Sequence, residues 1–243
     1  MIVPKKTVLI GCEYSGIIRE EFSKAGWNAW SCDLLPTESN NEETKKKHIQ
    51  IDVSYLLVHE EINYLKRTGQ TRDQKYMKVE NCDYLPLSFD LLIACPPCTY
   101  LTYSGTAIWF DDGRTMKRIE AAKFFMQLYD APIKHICIEN PRGIMTQIFR
   151  KPDMEIHPYY FGDNEMKRTN LWLKNLPKLN YQMQPDLFNQ TVTATQKTGQ
   201  IKKRYTTDAL NGKKFKNGHE RSRFYPSIAK AMAEQWTEFR MNN

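Results

Sequence analysis

The stretch LIACPPCTYL, residues 91–100, closes an apolar run with two cysteines, Cys95 and Cys98, on either side of a proline pair. Three chemistries use such a pair. A structural zinc site needs four ligands in a tetrahedral array, usually a second CxxC or a nearby pair of histidines. Here Cys82 is isolated and the five histidines are scattered, so no metal is expected. A redox CxxC opens a helix, whereas this pair closes a strand-like run and continues into TYLTYSG. A lone nucleophile at a strand's carboxyl end, held by stiff prolines, is well placed to reach a ligand bound by the neighbouring turn. On that reading Cys98 is the nucleophile, and Cys95, inside the run, is a small buried hydrophobe.

A second apolar run, HICIENP (135–141), carries Glu139 near its end. Desolvating a carboxylate costs several kcal/mol unless it finds a partner, which favours a chemical role over filler. The segment GCEYSG (11–16) follows the first apolar run and lacks the GxGxxG pattern that cradles a dinucleotide pyrophosphate. A ligand without phosphates, such as S-adenosylmethionine, needs fewer glycines. Glu13 would meet its cationic part, Asp33 its ribose hydroxyls and Asp52 its adenine. Acids after strands also serve as caps, which is an equally common use of them. Beside a methyl donor, a thiolate that adds to carbon 6 of cytosine makes carbon 5 enamine-like and able to take the methyl group. That step needs an acid at ring nitrogen 3, and Glu139 is the candidate.

The elements that must position these groups follow from periodicity. TVLIGC reads as a strand and SGIIREEFSKAG as a helix stopped by Gly26; WNAWSCDLLP reads as a strand ending at Asp33, and HIQIDVSYLLVHEEINYL as a strand passing into a helix. FDLLIAC (89–95) is a buried strand, RIEAAKFFMQLYDA a helix and HICIENP a buried strand. Apolar strands alternating with helices predict a doubly wound α/β domain with a parallel sheet, whose ligands bind at the carboxyl ends of the strands. YYFGDNEMKRTNLWLKNLP reads as two short strands around a polar turn, and residues 66–87 as a polar insertion without an assigned element. PSIAKAMAEQWTEFR is an amphipathic helix with Ile228, Met232, Trp236 and Phe239 on one stripe.

The chain has 243 residues, 41% of them hydrophobic, and no apolar run long enough to span a membrane. Its opening, MIVPKKTVLIGC, shows no secretory signal, and six dispersed cysteines are too sparse for a disulfide scaffold, so the expected compartment is the cytoplasm. Between Lys197 and Arg223 lie nine Lys or Arg against Asp208 and Glu220, which accounts for the whole formal charge of +7. Interleaved with Tyr205, Phe215, Phe224 and Tyr225, this block suits a phosphate backbone, or equally a solvated loop.

These residues, in this order, resemble the carbon-5 cytosine-specific DNA methyltransferases, and more narrowly the compact methylase-like proteins of phages and prophages. The motifs that carry the resemblance are PPCTY, IENP, LIGCEYSG, SCDLLP and RFYPSIAKAMAEQW. They span about 170 residues and are specific as a set. The resemblance implies a Rossmann-like methyltransferase sheet, S-adenosylmethionine as cofactor with S-adenosylhomocysteine as product, and DNA as partner. It makes Cys98 the nucleophile, with Glu139 and Asn140 meeting a flipped base. Cys12, Glu13, Tyr14, Ser15, Gly16, Asp33, Leu34, Asp52, Pro96 and Tyr225 would form the cofactor site. The family's Gln-x-Arg-x-Arg falls on EMKRT, so that Lys167 stands at an arginine position with Arg168 one place out of register. Lys cannot offer the bidentate fork of Arg.

The expected organisation is a catalytic and cofactor-binding core (1–176), a small basic segment contacting nucleic acid (177–222) and a C-terminal helix (223–243) returning to the core. Arg168, Lys202, Lys203, Arg204, Lys213 and Lys214 would hold the backbone. Two alternatives stay open: a nucleic-acid-binding protein of this fold that has lost turnover, and modification of another pyrimidine or of RNA. Enzymes directed at exocyclic nitrogens need a polar residue before Pro-Pro, where this chain has Cys95. The two-cysteine RNA enzymes would need Cys137, which lies two residues inside its strand and on the face of Glu139.

Overall fold

The computed structural model describes residues 5–103, 113–163, 167–181, 193–195, 201–203 and 223–239. Its main body is a seven-stranded sheet. The strands are β1 (Thr7–Gly11), β2 (Asn28–Asp33), β3 (His48–Gln50), β4 (Leu91–Ala94), β5 (His135–Pro141), β6 (Met154–Ile156) and β7 (Thr169–Lys174), in the order β3-β2-β1-β4-β5-β7-β6. β1 to β5 run parallel, and β7 is antiparallel to both β5 and β6. This is a doubly wound, Rossmann-like α/β sheet. A short hairpin, β8 (Thr193–Thr195) with β9 (Ile201–Lys203), pairs Thr193 with Lys203 and carries the backbone of Lys202. Arg204, Lys213 and Lys214 lie outside the described residues.

The near-continuous apolar runs of β1 and β4 are buried throughout, as central parallel strands must be when both faces are covered. One face packs on α1 (Ile17–Lys24) and on the last helix, α6 (Pro226–Glu238), through Ile18, Phe22, Ile228, Met232 and Trp236. The other packs on α3 (His59–Thr68) and α4 (Arg114–Tyr129) through Ile62, Leu65, Phe125 and Leu128. Two short helices, α2 (Glu42–Lys45) and α5 (Met145–Ile148), complete the α-helices among the described residues.

Three sequence readings change. The sheet is mixed rather than all parallel, because the connection from β6 to β7 has no crossover helix to return the chain to the start of a parallel strand. Tyr159–Phe161 lie in a 3-10 turn, Pro158–Phe161, and the strand sits upstream at Met154–Ile156, where Met154 and Ile156 alternate inward. The polar insertion is tied down by Val79, Cys82 and Leu85, which are buried against α3's side of the core. Among the described residues no helix is long and apolar enough to cross a membrane.

Register does the positioning. Gly11 pairs with both Cys32 and Ala94, and Ala94 pairs with Ile138. The next residue along each of these four parallel strands, Cys12, Asp33, Cys95 and Glu139, therefore falls in one row at the carboxyl edge.

Candidate active site

At the β1 end of that row the chain turns sharply. Cys12 has φ +58° and Gly16 φ +81°, so that Glu13, Tyr14 and Ser15 form a tight loop before α1. Glu13 is buried; its Oε1 accepts from the Ile17 N–H at 3.2 Å and from the Ser15 hydroxyl. Its Oε2 is buried with no hydrogen-bond partner among the described residues. Burial pushes the Glu13 carboxyl upward, opposed by Ser15 and by the nearby Arg19 guanidinium. An unmet carboxylate oxygen of this kind fits the ammonium end of an amino-acid-like ligand.

Beside the turn is a cleft of about 200 Å³ lined by Cys12, Cys32, Asp33, Leu34, Ile51, Asp52, Val53, Pro97 and Phe124. Its walls are apolar and its rim carries two acids, which suits a flat heterocycle joined to a hydroxylated sugar. Asp33 Oδ1 accepts the Leu35 N–H at 2.9 Å, and Asp52 Oδ1 accepts the Ser54 N–H at 2.9 Å and its hydroxyl at 2.8 Å. Each acid thus caps a local turn as well as facing the cleft. Of the proline pair, Pro97 lines the cleft; Pro96 is buried and its carbonyl accepts from Asn140 Nδ2 at 2.9 Å. Sequence reasoning missed Phe124, Cys32, Ile51 and Val53, whose only signal was membership of an apolar run or helix face.

The loop carrying Cys98 is held from two sides. The Asn140–Pro96 bond ties β5 to the residues before Cys98, while the Leu101 and Thr102 N–H groups fold back onto the Cys98 carbonyl at 2.9 and 3.0 Å. Gly143 closes the second contact: a Cβ there would lie 1.9 Å from the Leu101 carbonyl oxygen, and the Ile144 N–H donates to that same oxygen at 2.8 Å. Only glycine allows the two loops this approach. Asn140 Oδ1 is buried without a partner among the described residues.

Glu139 and Lys167 come together at the start of β7. Burial pushes the Glu139 carboxyl upward, and the Lys167 ammonium opposes the shift. Lys167 Nζ lies 5.2 Å from the centre of the Tyr225 ring, which brings the residue preceding α6 to the same place. Arg168 instead pairs with Glu155 across to β6, its Nε 3.1 Å from Oε1. Five thiols are disfavoured as thiolates. Burial pushes Cys12, Cys32, Cys82, Cys95 and Cys137 upward; neighbouring Glu139 adds to the effect at Cys95 and Cys137, and Asp33 at Cys12. Among the described residues no group of His, Cys, Asp and Glu is arranged to hold a metal ion.

No family model and no curated protein matches the sequence. Among solved structures the chain is similar to a DNA modification methyltransferase encoded within an E. coli prophage, at 15% identity over 73% of this chain and 49% of that one, with a TM-score of 0.41. It is also similar to the S. pombe Dnmt2 methyltransferase, at 17% identity over 82% of this chain and 59% of that one, with a TM-score of 0.43. The chain thus spans about half the length of the first structure and three-fifths of the second. The fold assignment rests on the strand order itself.

Proposed function

We propose that the chain transfers a methyl group from S-adenosylmethionine to carbon 5 of cytosine in DNA, with Cys98 as nucleophile. The observation that carries this reading is contiguity: Pro97 forms a wall of the cleft beside the Glu13 turn, and the next residue is Cys98. The donor when bound supplies an electrophilic methyl on a sulfonium and leaves as S-adenosylhomocysteine. Glu13 would hold its ammonium, the acids at the cleft rim its ribose and adenine, and Leu34 and Phe124 would cover the ring.

Cys98 acts as the thiolate, adding to carbon 6 so that the ring's electrons collect at carbon 5. Glu139, kept protonated to higher pH than an ordinary carboxyl by its burial, gives its proton to ring nitrogen 3 as the thiolate adds. When the carbon-5 proton is lost to solvent base, the Cys98 bond breaks and nitrogen 3 returns its proton to Glu139. Asn140 and Gly143 hold the Cys98 loop against β5. Tyr225 and Lys167 close the Glu139 side. A thiolate cannot reach carbon 6 inside a stack, so the base would be flipped out or single-stranded. The basic residues of the 177–222 segment, with Arg168, would hold the backbone, apart from the 1–176 core and the 223–243 helix.

Incubation with methyl-labelled donor and cytosine-containing DNA tests the reading. Incorporation lost in Cys98→Ala and retained in Cys95→Ala supports it. DNA binding without incorporation would replace it with a binding protein of methyltransferase fold, and transfer to RNA alone would move the substrate class.

A further inference from the structure

Arg19 has no place in the chemistry above, yet it is fully buried on α1. A buried guanidinium is hard to stabilise and is retained where its hydrogen bonds specify a geometry. One nitrogen, Nη1, donates to the Ser31 hydroxyl on β2; Nη2 donates to Thr37 Oγ1 at 3.2 Å, in the loop after β2. Ser31 Oγ lies 2.8 Å from His48 Nδ1, and His48 Nε2 lies 2.9 Å from the Leu35 carbonyl. The directions are mutually consistent: Arg19 donates to Ser31, Ser31 to His48 and His48 to Leu35. That order requires a neutral imidazole, and burial does push His48 down, to about 4. The loop carrying Asp33 and Leu34 is thus pinned at Leu35 and Thr37. It is then joined to the Glu13 turn by the Glu38 N–H, which donates to the Tyr14 carbonyl at 2.9 Å. Gly16 makes room for the arrangement, since a Cβ there would lie 2.9 Å from Arg19 Nη2.

We infer that Arg19 is a positioning residue of the methyl-donor site: from beneath the turn it fixes the loop bearing Asp33 and Leu34 and sets its positive charge beside Glu13, whose second oxygen is left for the ligand's ammonium. This rests on the donor-site reading given above. The groups facing Glu13 are Ser15 and the Gly16 and Ile17 N–H groups in its own turn, Arg19 from α1 and the Cys95 thiol from the end of β4. Arg19 is the cation among them.

The test is calorimetric binding of S-adenosylmethionine across pH 5 to 9 to the wild-type chain, Arg19→Met, Arg19→Lys and Thr37→Val. Glu13 binds the ammonium only when ionised, so affinity is lost as pH falls through its pKa; without Arg19 that pKa rises and the loss begins at higher pH. Arg19→Met is expected to bind at least about tenfold more weakly at neutral pH, with the acid limb moved upward. Arg19→Lys should keep the pH profile near wild type while losing affinity through the unpinned loop, and Thr37→Val should lose a few-fold with the profile unchanged. In steady-state assays KM for the donor should rise while KM for DNA stays within twofold. Wild-type affinity and an unmoved acid limb in Arg19→Met would overturn the role. Should that variant not fold, an Arg19→Lys protein with wild-type affinity does the same. A wild-type chain that binds no donor would instead contradict the donor-site reading.

Discussion

The two halves of the carboxyl edge are built differently. On the β1–β3 side most polar groups are bonded to one another: Arg19, Ser31, His48, Thr37 and the Leu35 carbonyl form a chain under the Glu13 turn, with Glu13 Oε2 left without a partner among the described residues. On the β4–β5 side the backbone is fixed, by Asn140 on Pro96 and by Gly143 on Leu101, while the side chains above it are not mutually satisfied. Glu139 is set against Lys167 by charge, and Asn140 Oδ1 has no partner among the described residues. A site for a small ligand of constant shape can be preorganised completely. A site that must admit an extruded base needs a rigid floor and groups whose partners arrive with the substrate.

Substitutions on the β4–β5 side should therefore remove chemistry and leave donor binding intact. Cys98→Ala is expected to lower methyl transfer by about 10⁴-fold or more, with donor affinity within twofold of wild type by calorimetry. Glu139→Gln follows, at about 10² to 10⁴-fold in single-turnover rate, because an amide can bond to nitrogen 3 but cannot give it a proton. Gly143→Ala drives a methyl group into the Leu101 carbonyl and should lower stability by about 1–3 kcal/mol, read from a denaturant midpoint, with transfer falling as the Cys98 loop shifts. Asn140→Ala removes one buried bond, worth about 1 kcal/mol, and should reduce kcat more than donor affinity.

The smallest expected effect is a pH dependence. The folded-state pKa of Glu139 is raised above the ordinary 4.5 by burial, so the folded chain holds that proton more tightly than the unfolded chain. The stabilisation this provides is fully present below the ordinary value and is lost as pH rises through the raised one. Thermal melting should show Glu139→Gln gaining on wild type as pH increases across that window. A gap that is flat with pH would mean that Glu139 is solvated like any surface acid.

Much of this was legible in the residues. The apolar runs leading to Gly11, Asp33, Ala94 and Glu139 disclosed the central strands, because a parallel sheet buried on both faces leaves little freedom in composition. The antiparallel β7 was not legible: NLWLK is as apolar as its parallel neighbours, and direction is decided by the missing crossover helix. The choice of Pro97 over Pro96 as cleft wall depends on which way the loop turns after β4, which the tertiary bond from Asn140 decides. Arg19 reads in sequence as one more charge on an exposed helix face. Its signal was position, since it lies three residues before Phe22 and next to Ile18, on α1's buried stripe.

The claim that Cys98 is the nucleophile is tested most directly by incubating the chain with DNA containing 5-fluorocytosine and S-adenosylmethionine, then digesting and analysing the product by mass spectrometry. After methyl transfer the fluorine at carbon 5 cannot leave as a proton would, so the bond to the enzyme persists. The account predicts a donor-dependent adduct on the peptide containing Cys98, absent from Cys98→Ala and present in Cys95→Ala. An adduct on Cys95 or Cys137, or methyl transfer to cytosine that proceeds without any adduct, would contradict it.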